Sequence, residues 1–246
     1  MFIVVRAKRV LGILCLTILA IGGIIMTGNR TLVPVFSHTA SAPLRTCYII
    51  DAGHGGEDGD AVSSDGVIES DINLAIAQKT EKLLAFLGKS TAMTRKDERA
   101  VYSDGAVTLR EKKRSDLENR VAMINGYEDA VLISIHQNSL PTAPSVHGAQ
   151  VFYNSADGAE LLAEQVQQRL NQCVNTENAK TKKQIDSSIY LMRQVNCRAI
   201  LVECGFLSNH EDTKKLQDDA YQRKLAMTIT AGVLNHENGA SAYESE

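Results

Sequence analysis

The chain contains no tryptophan, and aromatic residues fill only 5% of its 246 positions. It therefore offers no ring platform on which nucleic-acid bases would stack. No long run of a single charge sign occurs, and the net charge is −3. The short basic runs Lys112-Lys113-Arg114 and Lys182-Lys183 read as solvated faces, so no nucleic-acid partner is expected. None of the five cysteines forms a C-x-x-C pair, which speaks against a thiolate zinc site or a thioredoxin-like motif. An odd total does not describe a disulfide framework. Cys173 and Cys197 are the candidate pair if the domain lies outside the cytoplasm, Cys15 falls in an apolar N-terminal segment, and Cys47 and Cys204 read as small core residues. No internal repeat is visible.

What is present is ordinary for a globular chain, with 44% hydrophobic and 22% charged residues. Its N-terminus is different. Arg6, Lys8 and Arg9 precede Val10 to Gly28, a stretch of 19 residues without a charge, long enough to span a bilayer core with the basic flank on the cytoplasmic side. This segment, 1–28, reads as an uncleaved membrane anchor. A secretory signal peptide is the competing reading: Ala40-Ser41-Ala42 resembles a small-residue cleavage site, but Pro43 follows directly. Both readings place the remainder outside the cytoplasm. A linker, 29–45, leads to one domain, 46–237, of roughly 200 residues, enough for a sizeable core. The final segment, 238–246, is expected to be a disordered tail.

Apolar runs and turn signals divide the domain. Strands are expected at Cys47–Ile50, Ser90–Thr94, Ala130–Ile135, Ala149–Tyr153 and Ala199–Val202, with a short one at Ile189–Met192. Helices are expected from about Ser70, a plausible N-cap, to Gly88; around Leu117, Val121 and Ile124; from a cap at Ser155 through Leu170; over Glu211–Leu216; and over about Asp218–Asn235. The segment from Arg95 to Ser115 reads as a charged, irregular excursion with a local helix, and Cys173–Ser188 as loop. The expectation is an α/β single domain, with a mainly parallel or mixed twisted sheet of about six strands flanked by helices on both faces.

Three residues stand at the ends of the buried runs: His54 in the turn Asp51-Ala52-Gly53-His54-Gly55-Gly56, His136 after Ala130–Ile135, and Glu203 after Ala199–Val202. Glu69 stands where the first helix begins, joined to His54 by a loop rich in glycine and acids. If these strands are parallel neighbours, their ends open on one edge of the sheet. Two imidazoles and one carboxylate there suit a zinc ion with a fourth position open to water. The second carboxylate is then available as a base. Asp51 reads as an orienting group behind the ligands. His38, His147, His210 and His236 receive no role.

Four blocks in this order resemble the signatures of the zinc-dependent N-acetylmuramoyl-L-alanine amidases, the amidase_3 family. They are Ile49 to Gly56, Glu69-Ser70-Asp71-Ile72-Asn73-Leu74, Ser134-Ile135-His136-Gln137-Asn138 and Leu201 to Asn209. Leu117-Glu118-Asn119-Arg120, with Ala122 and Asn125, resembles a further block. The resemblance covers about Cys47 to Asn235. It implies that His54, Glu69 and His136 hold Zn2+ and that Glu203 is catalytic. It also implies cleavage of the amide between N-acetylmuramic acid and the L-alanine of the peptidoglycan stem peptide. The segment Arg95 to Arg120 is similar to the membrane-anchored CwlD-type amidases of endospore formers, which help to make muramic-δ-lactam in the spore cortex. That likeness implies a place between forespore and mother cell, with an accessory spore lipoprotein as a possible partner. Gln137 departs from the small or apolar residue of many relatives, a change that bears on the site rim and not on a ligand. The alternatives are another zinc peptidoglycan amidohydrolase and a catalytically silent wall-binding scaffold.

Overall fold

Six consecutive buried residues, Cys47–Ala52, form strand β1. Only a strand covered on both faces uses such a run. A computed structural model describes residues 46–57 and 61–243. The expected anchor and linker, and residues 244–246 of the expected tail, lie outside the described residues. Among the described residues no helix is long and apolar enough to cross a membrane.

The remaining strands are β2 (Ser90–Met93), β3 (Ala130–Asn138), β4 (Gln150–Tyr153), β5 (Lys183–Gln184) and β6 (Arg198–Phe206). They form one sheet in the order β2-β1-β3-β6-β4-β5. The first four are mutually parallel, β4 runs antiparallel to β6, and β5 is parallel to β4. The mixed α/β architecture and the six strands match expectation. The helices are α1 (Glu69–Phe86), α2 (Leu109–Asn125), α3 (Ala159–Cys173), α4 (Tyr190–Gln194), α5 (His210–Leu216) and α6 (Asp219–Tyr243).

Strand alternation sorts the core into two layers. Tyr48, Ile50, Ile133, Ile135, Ile200 and Val202 pack with α1, α3 and α6. Cys47, Ile49, Leu132, Ala199 and Leu201 pack on the other face with Ile124 of α2 and Leu191 and Met192 of α4. His136 and Glu203 share the parity of Leu132 and Leu201, so they point to the α2/α4 face.

Several boundaries differ from expectation. Ile189–Met192 is not a strand: Tyr190–Gln194 is a short helix. Both edges of β6 are already taken, by β3 and β4, so the apolar run covers the sheet face instead. The one added strand, β5, lies in the expected loop 173–188. Helix α2 starts eight residues before Leu117, at a capping box in which Thr108 Oγ1 accepts from the Glu111 N–H and Glu111 Oε2 accepts from the Thr108 N–H. Its buried positions are Asp116, Arg120 and Ile124, a helical stripe two-thirds polar, which apolar periodicity cannot show. Neither expected serine cap is used. Helix α1 begins one residue before Ser70, capped by Ile68, and α3 begins after Gly158. Helix α6 continues to Tyr243, so residues 238–243 extend it into the expected tail. Cys173 and Cys197 are both free. Cys173 lies two residues before Asn175, which bonds the chain at Ala149 beside the C-terminal end of β6, whereas Cys197 precedes its start. A disulfide needs Cα atoms within about 7 Å, and β6 separates these two by more.

Helices α3 and α6 approach closely at Gly232, where a Cβ would lie 2.5 Å from Val166 Cα. In an open helix, Gly→Ala would gain about 0.5–1 kcal/mol. Here the clash is with backbone, which cannot rotate away. Gly232→Ala is expected to lower stability by about 1–3 kcal/mol, read as a lower denaturant midpoint in chemical unfolding.

Candidate active site

The parallel order β1-β3-β6 brings three sequence-marked positions to one edge. His54 lies two residues beyond β1. His136 and Glu203 do not follow their strands but lie within them, paired directly across β3 and β6. Just beyond that pair the register slips, with Asn138 opposite Phe206, a bulge of the kind that re-aims side chains beside a site.

His54, Glu69 and His136 converge, with one ligand atom from each within 4.8 Å of the others. Glu69 Oε1 lies 3.4 Å from His54 Nε2 and 3.2 Å from His136 Nδ1. In a tetrahedral site with bonds of about 2.0–2.1 Å, ligand atoms are about 3.4 Å apart. The two imidazoles meet edge to face at 76°, with ring centres 5.0 Å apart. Nitrogen and carboxylate donors at this spacing fit a zinc-type cation with a position left for solvent.

Glu69 is buried and well held. Its Oε1 accepts from the Gln137 N–H at 3.0 Å and from Asn73 Nδ2 at 3.1 Å. Burial opposes its ionisation, but the bond to His136, the charges of both imidazoles and the Gln137 N–H outweigh that and hold its pKa at about 2. Its oxygens are thus anionic at neutral pH. Gln137 is buried, and its Nε2 donates to Asn73 Oδ1 at 3.2 Å. It lines the cleft, and through its N–H and its bond to Asn73 it supports Glu69.

The His54 turn needs more support than a loop usually gets. His54 has φ 60°, the one positive φ of a non-glycine among the described residues. A side chain there costs about 1–2 kcal/mol, and the flanking Gly55 (φ 130°) and Gly56 (φ 62°) continue the left-handed path. Gly53 serves a separate need, because a Cβ on it would lie 2.2 Å from His136 Cε1. Two buried arginines hold the carbonyls of this turn. Arg95 donates to Ala52 O at 2.9 Å, Gly53 O at 3.0 Å and Ser70 O at 2.8 Å. Arg120 donates to Ala52 O at 2.7 Å and His54 O at 2.6 Å. Asn73 Nδ2 also reaches Gly53 O, at 3.2 Å, so one amide links the turn to Glu69.

Asp51 touches neither histidine. It accepts from Thr94 Oγ1 at 2.7 Å, Ser134 Oγ at 2.6 Å and Arg120 Nη1 at 2.8 Å. It therefore orients the histidine turn through Arg120, which also pairs with Asp116. Burial works against the charge on Asp51, but Arg120, His136 and the two hydroxyls prevail and bring its pKa to about 2. Sequence reasoning quoted Arg120 and Asn73 only within motifs and gave Arg95 no role. Besides that motif, the sequence signal for Arg120 is its spacing of four from Asp116 and from Ile124 on a helix.

Glu203 faces a cleft of about 460 Å³ that also exposes His54, Glu69, His136, Asn138, Lys113 and Tyr190. Burial raises its pKa to about 7; the imidazoles of His136 and His54 pull it down and Glu69 pushes it up. Its Oε2 is buried and has no hydrogen-bond partner among the described residues. An acceptor left without a donor favours the protonated carboxyl, in line with the raised pKa. His147 and His210 are exposed elsewhere, and buried His236 lies against Arg198.

The sequence pattern described as N-acetylmuramoyl-L-alanine amidase, Amidase_3, matches residues 49–235. The chain belongs to this family. It is similar to the germination-specific N-acetylmuramoyl-L-alanine amidase of Bacillus subtilis, with 33% identity over 187 residues, 76% of this chain and 78% of that protein. Among solved structures it matches the CwlD amidase from Clostridioides difficile, which was determined in complex with the GerS lipoprotein. That match has TM-score 0.75 and 34% identity, and it covers 79% of this chain and 99% of that one. An N-acetylmuramoyl-L-alanine amidase from Clostridium difficile 630 matches with TM-score 0.69 and 28% identity over 79% of this chain and 98% of that one. The amidase function expected from the four blocks is thus supported by family, relatives and fold together.

Gly53→Ala would displace the His136 ring, so isothermal titration should show zinc affinity lost or reduced at least about tenfold, with the far-ultraviolet circular dichroism unchanged. Asp51 has a depressed folded pKa, about 2 against 3.8, so its contribution is complete above pH 4 and is lost as pH falls through 2. Asp51→Asn leaves Arg120 short of one anion and should lower stability at pH 7 by about 3–5 kcal/mol. It should also flatten the dependence of stability on pH between 4 and 2, measured by urea unfolding.

Proposed function

We propose that this amidase is zinc-dependent, that His54, Glu69 and His136 are its metal ligands, and that Glu203 is its catalytic acid–base residue. The observation that carries the reading is the convergence of those three donors within 4.8 Å, with Glu203 paired to His136 across the strands. When bound, zinc supplies a Lewis acid for the amide carbonyl and acidifies a water. Asn73 and the Gln137 N–H fix the Glu69 carboxylate so that its anionic oxygen points between the imidazoles. Glu203 takes the proton of the attacking water on its carboxylate and returns a proton to the departing L-alanine nitrogen. The two glutamates are suited to opposite duties by surroundings alone: one is kept ionised, the other near its titration point.

The biological setting follows the relatives. The similar Bacillus subtilis protein is named germination-specific, and the Clostridioides difficile amidase is bound to a lipoprotein. We place this amidase outside the cytoplasm, held by its segment 10–28 as a membrane anchor, acting on spore cortex peptidoglycan with an accessory lipoprotein as partner.

The test is a pair of substitutions on the full chain. Glu203→Gln should keep one zinc per chain by metal analysis and lose at least about a hundredfold in release of stem peptides from purified peptidoglycan. His136→Ala should lose the zinc itself. A Glu203→Gln protein that releases peptides at the wild-type rate would sink the assignment. Stem peptides with an N-terminus other than L-alanine would point to a different zinc amidohydrolase.

A further inference from the structure

Beside the catalytic cleft, on the same face of the sheet, lies a second groove of about 490 Å³. The two adjoin at Asn138, which lines both. The floor of the second groove is aromatic, from Phe152 and Phe206, and its wall carries Lys180 and Lys183. No aspartate or glutamate lines it, although the whole chain has net charge −3.

The two lysines are placed with care. Gln150 Nε2 holds Thr181 O at 2.8 Å, Asn171 Nδ2 holds Lys180 O at 2.8 Å, and the Lys180 N–H donates to Asn171 Oδ1 at 3.0 Å. The backbone that presents the lysines is therefore fixed on both sides. The Lys180 ammonium lies 6.0 Å from the centre of the Phe206 ring. Lys182, between them, is committed to Glu160 and Glu164. Lys180 and Lys183 have no acidic partner among the described residues.

The register relates the groove to the reaction. Gln150 lies opposite Glu203, Phe152 opposite Leu201, and Lys183 opposite Phe152. Lys183 is thus two strands from Leu201, on the face that carries Glu203. With strands about 4.8 Å apart and residues about 3.3 Å along them, the Cα atoms of Lys183 and Glu203 are roughly 12 Å apart, about three extended residues.

We infer that this groove is the binding site for the anionic part of the stem peptide, with Lys180 and Lys183 receiving its free carboxylates. The inference rests on the proposed function, since it needs a peptide leaving the cleft at Glu203. Peptidoglycan stem peptides keep free carboxylates on their acidic residue and at their C-terminus, within a few residues of the L-alanine. Two unpaired ammonium groups over an aromatic floor suit such a ligand by charge and by shape.

The experiment compares full-length wild type, the double variant Lys180→Gln/Lys183→Gln and the control Lys182→Gln. Two muramoyl-peptide substrates are used, one with free carboxylates and one with every carboxylate converted to the amide. The double variant should raise KM for the anionic substrate about five- to tenfold, with kcat within twofold. It should leave KM for the amidated substrate unchanged, and Lys182→Gln should match wild type on both. An unchanged KM for the anionic substrate, or an equal rise for both substrates, overturns the inference. Calorimetric binding of the free L-alanine-headed stem peptide gives an independent reading: wild type should bind more tightly than the double variant, and equal affinities overturn the inference. If wild type bound the peptide but cleaved neither substrate, the proposed function would fail while the groove stood.

Discussion

The buried ion pairs of Arg120 are what the site depends on. One guanidinium bridges Asp51 on β1 and Asp116 on its own helix, then uses its remaining donors on the carbonyls of Ala52 and His54. A charge removed from water this completely is tolerable only with full partnership. The partnership here fastens a histidine whose backbone is strained. Arg95 does the same from another direction, with donors on the carbonyls of Ala52 and Gly53. The glycines follow from this arrangement: Gly55 and Gly56 continue the left-handed turn, and Gly53 leaves room for His136.

Charge placement also divides the work between the two glutamates. Glu69 receives the Gln137 N–H, the Asn73 amide and two imidazoles, so it stays anionic despite burial. Glu203, partly exposed to the cleft, receives no hydrogen bond at Oε2, and its pKa rises towards neutrality. The same side chain is held as an anion in one place and brought near neutrality in the other, because burial acts on both but hydrogen bonds and the nearer imidazole offset it only for Glu69. Beyond Glu203 the mixed end of the sheet adjoins a second groove, where β4 carries Phe152, β5 carries Lys183 and the segment before β5 carries Lys180.

Much of the fold was legible in the residues. Buried strands such as Tyr48-Ile49-Ile50 and Val131-Leu132-Ile133 are apolar throughout and need no tertiary knowledge to be recognised. Where polar side chains face inward, the same reading failed. Helix α2 buries Asp116 and Arg120 on the stripe where apolar residues are sought, so its first two turns read as irregular. The apolar run Ile189 to Met192 had the composition of a strand, but it forms a short helix whose Leu191 and Met192 pack on the face of the sheet.

By itself the sequence determined which chemistry is possible. It put two imidazoles and two carboxylates next to buried strands or at the start of a helix, and it spoke against a thiolate site and a nucleic-acid partner. Only the tertiary structure decided how those groups are used, because that depends on contacts between residues far apart in the chain. The 3.2 Å approach of His136 to Glu69 spans 67 positions, and the Arg120 bond to His54 spans 66. Neither leaves a local periodicity to read. What makes one glutamate anionic, the other protonatable and one histidine turn rigid is hydrogen bonding across the sheet edge, and that exists only once the strands have paired in the order β1-β3-β6.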